Sequence, residues 1–454
     1  MDLVSILVSV GCVAFSVWIM QLYWRNKIGI VESLIYATVV RFFAIRFLGP
    51  TVDVLFLVSY AISIHLLFKT RFIHKKIVQI SLLAVFSFAL FLIFSTFFDT
   101  NLRHVKISNS LLNDLYFVLK YLFPVLVITN YLLLNGEDND KAFSAIRRAA
   151  VASCCIAVFQ LLLFLVIKNN SIREVFGLTG GDKYMYEVGS LGLVRLQAFC
   201  YEPKGLAAFL GIAFPIFLTG KKYLRGLFCF IIGVLTVSQT FFLIVLAYIF
   251  VRFFSVLTRR VSLVSLFSIL LFFGMFNMVN FALDKLLGSS TESAFSKIVL
   301  NRALSRFDVA LKEENNDLFG FPLQRDIELP AVNYFKDNNF MLLTGFGSGN
   351  YKEVPLKYFV VDWNIDLLEK NQFKGHFDMG WIFFISELGF IFAFFLYLLI
   401  SSQFIINNSV SLYYSFIIVV FFFHRIDFLL FSFFALVYYT QRKEKHLFLV
   451  SGRE

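Results

Sequence analysis

The stretch that decides the fold is LVSILVSVGCVAFSVWIMQLYW, which covers residues 3–24 and carries no charged side chain. About twenty apolar residues in a helix cross the hydrocarbon core of a bilayer, whereas a barrel strand needs only about ten. The stretch is too long for a cleavable signal peptide and lacks its basic start, so we expect a retained membrane helix.

Similar apolar segments recur along the chain. The sequence therefore predicts an all-α polytopic membrane protein. We count thirteen apolar segments, and because short neighbouring segments could merge, we expect about 11–13 transmembrane helices. The further segments cover residues 28–48, 51–68, 77–98, 111–134, 145–167, 206–218, 223–237, 240–257, 261–283, 377–399, 403–423 and 426–439.

The composition of the whole chain agrees with this prediction. Of 454 residues, 59% are hydrophobic and 16% charged, the mean hydropathy is +0.77, and the net charge is +11. Soluble domains contain about half apolar and a quarter charged residues. A soluble enzyme, a disordered chain and a secreted disulfide scaffold are therefore excluded.

The basic residues predict the orientation. One set of alternating short connections, with the C-terminal tail, contains eighteen Lys and Arg residues, and the opposite set contains three. Cytoplasmic connections carry the excess of positive charge. We therefore expect three parts: residues 1–283 form N-terminal membrane helices with an external loop at 168–203, residues 284–374 form a periplasmic cap, and residues 375–454 form C-terminal helices and a cytoplasmic tail.

The predicted cap contains eleven Lys and Arg residues, although an external loop has no topological need for them. They form either an ordinary surface of mixed charge or a surface that attracts an anionic substrate. The chain has no phosphate-binding Gly-rich loop followed by Lys and Ser or Thr, and no helical pair of His residues with metal-ligand spacing. We therefore expect no metal, no cofactor and no nucleic-acid partner.

Three stretches contain candidate site residues. In RLQAFCYEPKGLAAFL, residues 195–210, Glu202 and Pro203 are typical of a helix start, and Arg195 precedes them. In SKIVLNRALSRFD, residues 296–308, Arg302 and Arg306 would share one helix face and match phosphate oxygens. Simpler roles remain open for all of them: a helix cap, an interfacial anchor and two solvated arginines.

The third stretch is HFDMGWIFFISELGF, residues 376–390. His376 and Asp378 stand at the outer mouth of the predicted helix, and Glu387 lies deeper. An ionisable group at membrane depth is functional by default, whereas His376 could also be an interfacial residue without chemistry. Other charges within predicted membrane segments are expected to form structural pairs, among them Arg41 with Asp53.

Together these stretches resemble the O-antigen polymerase (Wzy) and O-antigen ligase group of bacterial membrane glycosyltransferases. Members carry an arginine before a Glu-Pro-type helix start, an arginine-rich helix in the large periplasmic loop, a GxG stretch, and a His about eleven residues before a Gly. In this chain His376 is thirteen residues before Gly389, and Asp378 is eleven before it. The other matching residues are Arg195, Glu202, Pro203, Arg302, Arg306, Gly345 and Gly347.

The resemblance implies a bundle similar to the GT-C glycosyltransferases, with a helical periplasmic cap, in the bacterial inner membrane. The donor would be a glycan on undecaprenyl diphosphate, bound through Arg195, Arg302 and Arg306. His376 would be the general base with Asp378 orienting it or the acceptor hydroxyl; the reverse assignment and substitution by Glu202 remain open. Membrane lipid and a chain-length regulator protein are the other expected partners.

Low identity and richness in Phe favour the polymerase branch, which joins lipid-linked repeat units. One alternative is the ligase, which transfers the whole glycan to lipid A core. The other, from a different class, is a flippase for lipid-linked oligosaccharide. A flippase should have more charge inside its bundle and no folded external segment of this length.

Overall fold

A computed structural model describes most of the helical bundle. The described residues are 3–41, 43–46, 51–97, 123–136, 139–167, 196–200, 203–236, 238–271, 317–318, 321–322, 328–347, 354–359, 380–401 and 405–423.

The described part is almost entirely helical. Its helices are α1 (Leu3–Trp24), α2 (Ile30–Val39), α3 (Val54–Lys69), α4 (Lys75–Phe97), α5 (Phe123–Asn135), α6 (Asn139–Ile167), α7 (Pro203–Thr219), α8 (Tyr223–Leu235), α9 (Gln239–Leu257), α10 (Val261–Leu271), α11 (Glu328–Asp337), α12 (Asn339–Thr344), α13 (Gly380–Ser401) and α14 (Ser409–Phe423). The strands are β1 (Ala44–Arg46), β2 (Thr51–Asp53), β3 (Asp317–Leu318) and β4 (Phe321–Pro322), and Leu356–Tyr358 forms a 3₁₀ turn.

Five helices in this part are long and apolar enough to cross a membrane: α1, α4, α6, α9 and α13. The outer surfaces of α1 and α4 expose large apolar side chains such as Leu7, Trp18 and Val85. Such a surface would promote association in water but is the normal surface of a helix in lipid. The prediction of a mostly helical membrane protein is therefore confirmed. Shorter apolar helices, α2, α3, α5, α7, α8, α10 and α14, lie among the five.

The expected second membrane helix, residues 28–48, is wrong in its C-terminal half. Helix α2 ends at Val39, and the chain forms an antiparallel hairpin in which Ala44 pairs with Asp53 and Arg46 with Thr51. A longer helix would carry Arg41 and Arg46 through an apolar environment, where charges need partners. Ending it early lets the Nε of Arg41 reach the Oδ2 of Asp53 at 2.6 Å. The short strands are the departure from the all-α prediction.

Contacts between distant segments agree with the charge pattern. The Nζ of Lys76 donates to the carbonyl of Leu399 at 3.0 Å, and the amide of Ile406 donates to the carbonyl of Arg259 at 2.6 Å. Arg148 pairs with Glu32 at 3.2 Å. In each pair both partners lie in or beside connections that the positive-inside rule assigns to the same face.

Helix α7 is the central element of the described bundle. It packs against α6, α8, α9 and α14, and most of its side chains are buried, including Leu206, Leu210 and Phe217. The hydroxyl of Tyr413 on α14 donates to the carbonyl of Ile212 at 3.0 Å. The helix begins at Pro203, as predicted, because proline at the first helical position lacks only an N–H that has no intrahelical acceptor.

Candidate functional site

The six predicted site residues lie outside the described residues: Arg195, Glu202, Arg302, Arg306, His376 and Asp378. Their positions relative to one another therefore stay predictions. The structure does describe segments that flank four of them in sequence. Residues 196–200 lie between Arg195 and Glu202, α7 directly follows Glu202, and α13 begins two residues after Asp378.

Residues 196–200 form a buried, non-helical turn within the bundle. The side-chain oxygen Oε1 of Gln160 accepts hydrogen bonds from the backbone amides of Gln197 and Ala198, both at 3.2 Å. The amide of Cys200 donates to the carbonyl of Gln197 at 3.0 Å. Irregular backbone at membrane depth must be buried in protein and hydrogen-bonded. Gln160 supplies these hydrogen bonds from the interior of α6.

The depth of this turn differs from the sequence-based expectation of a simple external loop over 168–203. Gln160 is seven residues before the end of α6 at Ile167, or about 10 Å along the helix at 1.5 Å per residue. Leu196 and Ala198 are almost completely buried. The last part of the predicted loop therefore enters the bundle before α7 begins. The sequence analysis did not predict this contact. The signal that could have indicated it is a polar glutamine within an otherwise apolar helix.

The backbone of the turn is strained. Ala198 has φ +49°, a left-handed conformation that costs a non-glycine residue about 1–3 kcal/mol. Such strain is retained where surrounding contacts fix the backbone, as Gln160 does here. The side chain of Cys200 at the end of the turn is buried.

The ion pair of Arg41 with Asp53 stands beside this turn. Asp53 also caps α3, because its Oδ1 accepts a hydrogen bond from the amide of Phe56 at 2.8 Å. The ring of Phe43 lies 5.4 Å from the ring of Phe199 in the buried turn. The sequence predicted the ion pair itself but gave no signal that it borders the turn between Arg195 and Glu202.

A second cluster joins the predicted cap to α13. Gly345 and Gly347 have φ values of +74° and +79°, so the GFG stretch forms a tight turn after α12. Phe346 between them is fully buried and stacks on Phe335 of α11 at 4.5 Å. The amide of Phe346 donates to the carbonyl of Ser386 in α13 at 2.7 Å. The turn is thereby fixed against the membrane helix.

Helix α13 is broken where the turn contacts it. Gly389 has φ +84° and ψ +161° inside the helix. A Cβ at Gly389 would overlap the backbone of Leu343 and Thr344, and a Cβ at Gly345 would overlap the backbone of Ser386 and Gly389. The two glycines thus permit a direct backbone-to-backbone approach. Gly389 lies about 13 Å along the helix from Gly380, so part of the predicted cap reaches into the membrane-spanning layer.

Glu387 lies in the same cluster, two residues before the break. Its side chain is buried, as is that of Ser386. A carboxyl group in this position requires hydrogen bonds or a counter-charge. The functional role expected for Glu387 from its depth in the membrane stays a prediction. Among the residues that the structure describes, no group of three His, Cys, Asp or Glu side chains could hold a metal ion.

The described geometry therefore provides two fixed backbone elements, the turn at residues 196–200 and the break at Gly389. The turn lies between Arg195 and Glu202 in the sequence, and the break lies thirteen residues after His376 and eleven after Asp378. No protein-family model, curated protein or solved structure matches the chain.

Proposed function

We propose that this protein is a membrane glycosyltransferase of the O-antigen polymerase kind. It joins oligosaccharide repeat units carried on undecaprenyl diphosphate at the periplasmic face of the bacterial inner membrane. The observation that carries the proposal is the contact of the GFG turn with the break at Gly389. The GFG stretch and Gly389 are two of the features on which the resemblance to this enzyme group rests. They are more than forty residues apart in the sequence, and they lie in contact in the structure.

The fold supports the proposal in outline. A bundle of apolar helices, with the helices α11 and α12 in the segment that we predict to be periplasmic, is compatible with a GT-C-like architecture. The turn at residues 196–200 supports it further, because strained and buried backbone next to polar residues is typical of binding sites. In this proposal Arg195, which precedes the turn in the sequence, binds the donor diphosphate, and Glu202, which follows it, is the alternative base.

The proposed reaction is transfer of a sugar from a lipid diphosphate to a sugar hydroxyl. The acceptor oxygen forms a bond to C1 of the donor sugar, and the bond from C1 to the diphosphate oxygen breaks. The acceptor proton passes to a general base, His376 or Asp378. Undecaprenyl diphosphate leaves with the electron pair, and Arg195, Arg302 and Arg306 stabilise its growing negative charge.

The length pattern of surface glycan in a strain that lacks this protein tests the proposal. We expect lipid A core that carries a single repeat unit, because ligation proceeds without polymerisation. Lipid A core without any glycan would indicate a ligase instead. Accumulation of lipid-linked repeat units on the cytoplasmic side would indicate a flippase. Restoration of long chains by the plasmid-borne wild-type protein is the control.

A further inference from the structure

The connection between α7 and α8 is a tight turn of three residues, 220–222, and it carries two adjacent lysines. The amide of Lys222 donates to the carbonyl of Phe217 at 2.9 Å. Lys221 has φ +54°, a left-handed conformation in which glycine or asparagine is more usual after a helix. Both lysines are exposed. Their backbone is thus fixed at one end of the bundle while their side chains reach outward.

Two arginines join the lysines at this turn. The Nη1 of Arg147 on α6 lies 3.1 Å from the point that a Cβ on Gly220 would occupy. Its neighbour Arg148 has a different partner, since its Nη2 pairs with Glu32 at 3.2 Å. Arg225 is exposed in the first turn of α8. Elements distant in sequence therefore gather four cations into one basic cluster: Arg147, Lys221, Lys222 and Arg225.

No carboxylate among the described residues forms an ion pair with any member of the basic cluster. Like charges held close together repel one another, and this repulsion is relieved when an anion binds between them. A guanidinium matches phosphate oxygens through paired hydrogen bonds, and an ammonium adds a compact positive charge. The basic cluster is therefore suited to an external phosphate group.

The outward face of α8 next to the basic cluster is apolar. Leu224, Leu227 and Ile231 share this face and are 85%, 55% and 48% exposed. The other side of α8 is buried, with Gly226 close to α7 and Cys229 in contact with α6. In a membrane protein, an exposed apolar helix face contacts acyl chains. Cations followed along the helix by an apolar stripe match the order of headgroup and acyl chains in a phospholipid.

We propose that the basic cluster binds the headgroup phosphate of an anionic phospholipid such as phosphatidylglycerol, whose acyl chains lie along the apolar face of α8. The excess of Lys and Arg at one membrane surface attracts anionic lipid in a diffuse way. The basic cluster adds a defined site, because Arg147 is brought to a fixed turn that adjoins a lipid-facing stripe. The inference does not depend on the function proposed above.

Binding of phosphatidylglycerol to the purified full-length protein in a neutral detergent tests the inference, with bound lipids counted by native mass spectrometry. The wild type should bind phosphatidylglycerol more tightly than phosphatidylcholine with the same acyl chains. Replacement of all four cations of the basic cluster by Gln should raise the Kd for phosphatidylglycerol about tenfold or more, because the charges that hold the headgroup are lost. The Kd for phosphatidylcholine should not change.

A matched control removes the same charge from two other connections. The positive-inside rule assigns Arg25, Lys27, Lys69 and Arg71 to the same face, and all four are exposed. Their joint replacement by Gln should change the Kd for phosphatidylglycerol less than about twofold, because only the diffuse attraction falls. Equal weakening in both quadruple variants would overturn the inference in favour of net charge alone.

Two further results would overturn the inference. Equal affinity of the wild type for phosphatidylglycerol and phosphatidylcholine would mean that no anionic headgroup is recognised. Displacement of phosphatidylglycerol by inorganic phosphate at the same concentration would indicate a site for a free anion. If the quadruple variant of the basic cluster does not fold, the double variant Lys222→Gln and Arg225→Gln replaces it, with an expected rise in Kd of roughly threefold.

Discussion

At the scale of single residues, Gly389 has the clearest structural requirement. Its positive φ is disfavoured for any residue with a Cβ, and the backbone of Leu343 and Thr344 occupies the space that a Cβ would need. The break it permits separates the half of α13 nearest His376 and Asp378 from the remainder of the helix. In the proposed enzyme, Gly389 therefore sets the direction of the segment that follows the base.

Gly389→Ala should lower stability by about 1–3 kcal/mol from backbone strain alone, and the overlap with Thr344 should add to this cost. Polymer formation should fall more than the amount of folded protein, because the base is displaced. Thermal unfolding in detergent and glycan length in cells measure the two effects. The matched control is Gly205→Ala, whose Cβ would make only an ordinary 3.5 Å contact with Cys200. A Gly389→Ala protein with wild-type stability and activity would contradict the assigned role.

The identity of the base is also a question about single residues. The ordinary pKa of a histidine lies close to neutral pH, whereas an exposed aspartate is a weak base. We therefore expect His376→Ala to abolish turnover and Asp378→Asn to reduce it partially at matched protein levels. Near-normal turnover of His376→Ala, with loss in Asp378→Asn, would reverse the roles and favour the eleven-residue spacing to Gly389.

At the scale of elements, the turn at residues 196–200 depends on one side chain of another helix. Gln160 on α6 accepts both of its hydrogen bonds. Gln160→Leu should leave two buried amides without this acceptor, at a cost of about 1–3 kcal/mol for each unsatisfied group. We expect a lower unfolding temperature and weaker binding of the lipid diphosphate.

Gln160→Glu is the matched control for this prediction, because a carboxylate of nearly the same shape can still accept both hydrogen bonds. It should retain more stability and binding than Gln160→Leu. Equal behaviour of the two variants would show that the hydrogen bonds to Gln197 and Ala198 do not hold the turn.

Hydrophobicity along the sequence predicts some of these elements and fails for others. Helix α1 covers residues 3–24 as expected, because an uninterrupted apolar stretch has one stable structure in lipid. Hydrophobicity could not locate the end of α2, because the ion pair that accompanies it joins Arg41 to a residue twelve positions away. Other contacts join residues that are still further apart along the chain, and they leave no periodic pattern in the sequence. Examples are Gln160 with residues 197 and 198, and Phe346 with Ser386.

At the scale of the whole molecule, the charge pattern predicts that the C-terminus lies in the cytoplasm and the segment 284–374 in the periplasm. A reporter fused after Lys336 should indicate the periplasm, and one fused after Lys445 the cytoplasm. The pairing of Lys76 with Leu399 and of Arg259 with Ile406 supports the grouping of connections behind this prediction. The same signal from both fusions would refute the topology.

The central claim is that this one chain makes polymer from lipid-linked repeat units, and a purified preparation tests it most directly. The full-length protein in nanodiscs, given undecaprenyl-diphosphate-linked repeat units and no nucleotide, should yield a ladder of longer lipid-linked glycans. The Arg302→Ala and Arg306→Ala double variant should yield none while retaining its thermal unfolding temperature. Absence of a ladder with folded wild-type protein, or an undiminished ladder with the double variant, would contradict the account.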